Sequence, residues 1–142
     1  MRALLDINVL IALLDEAHVH HQRARAWLHS NIDQGWASCP ITQNGCVRIM
    51  SQPAYPKPVP PSEVMARLRA AVDTEHHRFW PDDFSLLDTR LVDARRIHGP
   101  RQLTDIYLLA LAVRHQGRFV SFDGGIAISA VAAAEPRHLV AL

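Results

Sequence analysis

Ala3-Leu4-Leu5-Asp6-Ile7-Asn8-Val9-Leu10-Ile11-Ala12-Leu13-Leu14 is the stretch whose reading decides the fold. Ala3-Leu4-Leu5 is short, wholly apolar and closed by an acid. It reads as a first strand buried on both faces, despite its modest β-propensity. From Asn8 the pattern turns helical. A carboxylate at the edge of an apolar core costs free energy unless something there needs negative charge. The same arrangement recurs twice. Asp105 opens the apolar run Ile106-Tyr-Leu-Leu-Ala-Leu-Ala-Val113, and Asp123 closes Arg118-Phe-Val-Ser-Phe122.

Working outward, an amphipathic helix is expected from about His20 to about Asp33. It buries Ala24, Trp27 and Leu28 and exposes Gln22, Arg23, Arg25 and His29. Gly35 breaks it, and Trp36 to Cys39 reads as a strand. Pro40 suits the start of the next helix, which continues over Thr42 to Met50 with Gly45 as its weak point. Between Gln52 and Pro61 five of ten residues are proline. That density excludes helix and central strand and marks a surface loop. Ser62 then reads as the N-cap of a helix to about Val72. His76 to Trp80 is a short strand, and Thr89 to about His98 a helix stopped by Gly99-Pro100. Thr104 caps a helix from Asp105 to about His115, with Gly117 as its stop. Arg118 to Phe122 is the clearest strand, and His138 to Ala141 adds a last one. Strands alternating with helices imply a parallel sheet covered on both faces. In such sheets working residues lie at strand carboxyl ends, where strand order switches. Asp6 and Asp123 are at such ends, and Asp105 sits at a helix N-terminus.

The bulk numbers are those of an ordinary globular chain. With 142 residues, 49% apolar and 20% charged, one domain spanning 1–142 is expected. A formal charge of +1 leaves no strong overall field, so any nucleic-acid contact must come from a local patch. Cys39 and Cys46 are too few and too close for a disulfide framework or a complete zinc site, and read as reduced thiols. No signal peptide or membrane span is recognised, so a cytoplasmic protein is expected. Taken singly, Asp6 and Asp105 pass as helix-start acids and Asp123 as a turn residue. Three acids converging from distant segments would repel unless a cation neutralised them, and hard carboxylate oxygens suit Mg²⁺ or Mn²⁺.

At these residues the chain resembles a known family. Leu4-Leu5-Asp6-Ile7-Asn8-Val9-Leu10, Leu103-Thr104-Asp105-Ile106-Tyr107-Leu108-Leu109-Ala110 and Val120-Ser121-Phe122-Asp123-Gly124-Gly125-Ile126 are similar to the three acidic motifs of PIN-domain ribonucleases. Pro53-Ala54-Tyr55 and Gly99-Pro100-Arg101-Gln102 look closest to VapC-type toxins of toxin–antitoxin systems. The resemblance implies a three-layer α/β/α sandwich with a short parallel central sheet. It implies an Mg²⁺- or Mn²⁺-dependent endoribonuclease toxin that cleaves structured RNA, tRNA or rRNA, to inhibit translation. It also implies a VapB-type antitoxin and a homodimer. Asp6, Asp105 and Asp123 match the metal-binding positions, Asn8 the residue that steadies the first aspartate, and Thr104 a hydroxyl able to orient Asp105.

One position departs. Where these toxins carry a glutamate after the second strand, the match falls on Gln43, with Asn44 as the other alignment. Glutamine keeps the length and one carbonyl oxygen but loses the charge. Three readings stay open, a natural three-aspartate site, a weakened enzyme or an engineered substitution that silences a toxic protein, and the alternative function is a silent PIN module acting through RNA or protein binding. RNA would be held by arginines, of which Arg101 and Arg48 are the first candidates, with Arg95 and Arg96 behind them. His18, His20 and His21 read as the start of a surface helix, and the three tryptophans as core or interface anchors. A phosphotransfer role for Asp6 would need a nearby lysine, and Lys57, the one lysine, is in the proline loop. A dinucleotide-binding fold would need a glycine-rich loop after the first strand, and there is none.

Overall fold

The computed structural model describes all of residues 1–142. In chain order it contains β1 (Ala3–Leu5), α1 (Ile7–Leu14), α2 (His21–Asn31), β2 (Trp36–Ser38), α3 (Pro40–Ser51), α4 (Pro61–Val72), β3 (His77–Phe79), α5 (Leu103–Arg114), β4 (Arg118–Ser121) and β5 (Leu139–Ala141). The strands form one parallel sheet in the order β3-β2-β1-β4-β5. In β1, Ala3 pairs with Trp36 on one side and Arg118 on the other.

Side chains alternate across a strand, so each central strand feeds two cores. Leu4, Ala37 and Phe119 face α5 and its Ile106, Leu108 and Leu109. Ala3, Leu5, Trp36 and Val120 face the other way, onto α1, α3 and α4. This is the expected three-layer sandwich with unequal layers. One face carries four helices. The other carries α5 and non-helical segments that contribute Val92, Ile126 and Val131. Trp36 and Trp80 are core anchors, while Trp27 is half-buried beneath the Arg118 guanidinium, 5.0 Å from its ring centre. Cys39 and Cys46 are free and buried, and burial pushes their thiols up to about 11 and about 12. No helix is long and apolar enough to cross a membrane.

Three local expectations are corrected. The helix over Thr89–His98 does not form; only a 3₁₀ turn at Ala94–Arg96 does. The Asp88 and Asp93 carboxylates accept hydrogen bonds from the backbone N–H groups of Arg90 and Arg95, turns that compete with helix. Val92 is also held in an antiparallel bridge to Val131. Second, Pro60 and not Ser62 occupies the cap of α4, with Pro61 at the first helical position, where its missing N–H is no loss. Third, α5 starts at Leu103 with Gln102 at its cap, so Thr104 lies inside the first turn rather than capping it.

Gly117 marks a close approach. A Cβ there would stand 2.6 Å from the Arg2 carbonyl oxygen and 2.7 Å from the Trp80 ring. Backbone cannot yield as a side-chain tip does. Gly117→Ala is expected to cost about 1–3 kcal/mol, read as a lower urea midpoint at unchanged slope.

Candidate active site

Strand β1 delivers Asp6 at its carboxyl end, and its neighbour β4 delivers Ser121 and Asp123. From β1 the chain builds outward through β2 and β3 on one side and β4 and β5 on the other. The crevice above β1 and β4 is therefore the switch point of the sheet.

Asp6 is almost fully buried and does two things at once. Its Oδ1 accepts the Ile7 N–H at 2.7 Å, capping α1, and its Oδ2 accepts the Ser121 hydroxyl at 2.6 Å. Burial still pushes its pKa up against both bonds, and the charge of Asp123 adds to the rise. Half-buried Asp105, in the first turn of α5, is pushed up to about 6, first by burial and then by the charges of Asp6 and Asp123. Asp123 is exposed, and its Oδ1 accepts the Gly125 N–H at 2.8 Å. The three acids thus feel one another, although no three His, Cys, Asp or Glu side chains are gathered into a ready ligand shell. Convergence here is electrostatic. Hard, partly desolvated oxygens that resist carrying their charges together suit a divalent cation.

Ser121 is the residue that sequence reasoning missed. Its buried Oγ donates to Asp6 and accepts from the Asp123 N–H at 3.0 Å and the Asn8 amide at 3.3 Å. The Asn8 Oδ1 in turn lies 3.4 Å from the Phe122 N–H. One hydroxyl links both strand-end acids and the first turn of α1. The available signal was a polar residue inside an otherwise apolar strand, two positions before an acid.

Two clefts flank the acids. A small one of about 100 Å³ is lined by Arg101, Gln102, Asp105, Asp123 and Gly125 among others. A larger one of about 380 Å³ lies against Asp6 and Asn8. Arg101 therefore stands where a phosphate near the acids would meet it. Arg48 does not. It lines a separate groove of about 580 Å³ between α3 and α4. Arg95 and Arg96 are both paired with Asp93, at 3.1 and 3.4 Å.

The PIN domain profile matches residues 3–134 of the chain. The chain is a PIN-domain protein. Among curated PIN-type relatives it is 55% identical to Ribonuclease VapC44 of Mycobacterium tuberculosis, over all of both chains. It is 43% identical to Ribonuclease VapC39 of the same species, over 93% of this chain and 96% of that one. It therefore belongs to the VapC ribonuclease group of the PIN family, whose ribonucleases use a divalent metal. Of solved structures, VapC20 of Mycobacterium tuberculosis, a sarcin-ricin loop cleaving toxin, superposes with a TM-score of 0.57 at 10% identity, covering 87% of this chain and 91% of that one. VapBC2 of Rickettsia felis, bound to a DNA fragment from its promoter, gives 0.55 at 10% identity, covering 87% and 89%. At that identity the two structures speak for the fold alone.

In this PIN domain, the departing residue Gln43 is tied to β2. Its Nε2 donates to the Ser38 Oγ at 2.9 Å, and that oxygen lies 2.8 Å from the His77 Nε2. Burial first, and then Arg2 and Arg78, push the His77 pKa down. Its partner is therefore Ser38 and none of the three aspartates.

Proposed function

We propose that this protein is a cytoplasmic endoribonuclease toxin acting as one catalytic domain, with Mg²⁺ or Mn²⁺ held by Asp6, Asp105 and Asp123 and restrained by a VapB-type antitoxin. The observation that carries the reading is the placement of Asp6 and Asp123 at the ends of neighbouring strands, with Asp105 lining the same cleft as Asp123, at the switch point of a PIN fold, together with full-length similarity to named ribonucleases. A bound divalent ion would polarise the scissile phosphate and lower the pKa of a water. The chain's own residues set the geometry. Ser121 and the Ile7 N–H fix both oxygens of Asp6. Arg101 binds the phosphate beside the cleft of Asp105 and Asp123. In-line attack leaves a 5′-phosphate and a 3′-hydroxyl.

Tests are direct. Purified protein freed of antitoxin should cleave structured RNA with Mg²⁺ or Mn²⁺ and stop on chelation. Metal-independent cleavage, or products with 3′-phosphates, would sink the reading.

Full-length similarity to VapC ribonucleases supports a VapB-type antitoxin partner. An apolar cleft of about 670 Å³ between α1, α2 and α4 suits an amphipathic segment. A homodimer accords with the same group.

Gln43 favours the second reading, a weakened module. In Gln43→Glu the new carboxylate would accept a hydrogen bond from the Ser38 hydroxyl, leaving the Ser38 oxygen to accept from the His77 ring. A fourth acid should lower the metal concentration for half-maximal cleavage roughly tenfold, about 1.4 kcal/mol. An unchanged metal titration would place position 43 outside the site.

A further inference from the structure

Besides Asp6 and Asn8, the larger cleft is lined by residues the cleavage chemistry leaves unused. Its walls are Ile7, Ile11 and Ile49, and its rim is His18 and Tyr55. At about 380 Å³ it lies in the small end of the ligand-sized range of roughly 300–1,000 Å³. Its polar groups are held in fixed states. The His18 Nδ1 accepts the His20 backbone N–H at 3.0 Å, so the ring carries its proton on Nε2 and offers a donor. The Tyr55 hydroxyl donates to Asp15, just past α1, which ties the proline loop to that helix and leaves the phenol oxygen as an acceptor.

An aromatic row joins this cleft to the acids. Phe122, between Ser121 and Asp123, stacks on His20 with ring centres 4.7 Å apart and planes 28° apart. His20 lies 5.8 Å from His18, on the cleft rim. Apolar walls, one donor, one acceptor and neighbouring ring faces are what an unstacked base requires. It presents two apolar faces and a polar edge. The other cleft sets Arg101 beside Asp105 and Asp123, the one cation there that can meet a phosphate.

We infer that the cleft formed by Ile7, Ile11, Ile49, His18 and Tyr55 accepts one unstacked nucleobase of single-stranded RNA, next to the scissile phosphate. The inference rests on the ribonuclease reading above. It adds a direction to it: the base enters on the α1–α3 side of the acids, and the phosphate backbone leaves past Arg101. The site therefore selects cleavage points where a base can swing out of its stack.

Abasic substitution reads this directly. In a cleavable oligoribonucleotide, one nucleotide at a time next to the cleavage point is made abasic. One position should lose about tenfold or more in kcat/KM, the scale of one base stacked on protein. Ile49→Trp narrows the cleft from α3 without replacing an acid, and should remove the preference for an intact base at that position alone. Equal abasic penalties in Ile49→Trp and the parent, or none in an active parent, overturn the inference. His18→Ala is the second variant should Ile49→Trp melt early, and should reduce the same penalty.

A metal-free titration separates this outcome from the ribonuclease reading. The His18 and His20 ring protons should shift on adding the uncut oligonucleotide. Shifts without cleavage under any metal would keep the base site and remove the enzyme. Absent shifts, or shifts produced by the antitoxin and not by RNA, overturn the base site.

Discussion

Asp105→Asn is expected to lose cleavage by roughly 10²–10³-fold while making the metal-free protein more stable at pH 7–8. The two effects have one cause. In the folded chain Asp105 titrates near 6, against about 3.9 when unfolded. Between those values the folded state holds the extra proton. Metal-free stability therefore falls as pH rises from about 4 to about 6, and stays low above. Asparagine has no charge to suppress and removes one repulsive partner from Asp6. Asp105 is half-buried in an open cleft, so solvent screening holds the gain below about 1 kcal/mol, roughly 2–4 °C in melting temperature. The gain should vanish near pH 4. Divalent metal should reverse the ranking, since the parent gains about 2.7 kcal/mol at one hundred times its Kd and the variant gains less. Melting curves at pH 4 and 7.5, with and without Mg²⁺, test all of it. A variant less stable than the parent at pH 7.5 without metal would show that Asp105 is a structural carboxylate.

Phe119→Ala is expected to cost about 3–5 kcal/mol, the range for emptying a buried aromatic site. Phe119 is fully buried and pairs with Leu4 across the centre of the sheet. Its ring fills the core under α5, the only α-helix on that face. The resulting cavity would loosen α5 and with it Asp105. Urea unfolding gives the stability loss, and metal affinity should fall in parallel. A cost under about 1 kcal/mol would mean that the loops from Phe84 to Ile97 collapse into the space.

The clearest expectations from sequence were those fixed over a few neighbouring residues. The span of β1, the stop at Gly35, the proline loop and the acids at strand ends all follow from local patterning, and strands alternating with helices imply a parallel sheet. The Thr89–His98 segment misled because helix and Asx-turn compete at similar energy there. The choice was made by Val92 pairing with Val131, 39 positions away. Thr104 misled by a single turn, because helix ends are set by which N–H groups find partners.

The candidate site divides along the same line. Asp6, Asp105 and Asp123 stood out as candidates because each sits beside its own apolar run, and Asn8 through the family resemblance alone. Ser121 was not, since its role exists only across 115 positions of chain, where its hydroxyl meets Asp6. Nor was the tie of Gln43 to Ser38 and His77, or the cleft where α1, α3 and the proline loop meet. The sequence by itself determined the α/β class, the order of every element but the Thr89–His98 segment, and three candidate acids, because hydrophobic period and turn chemistry act within a few residues. Only the tertiary structure decided which arginine faces the acids, how their charges couple and what lies beside them. Burial and through-space repulsion depend on distances that the chain acquires when β1 and β4 pair.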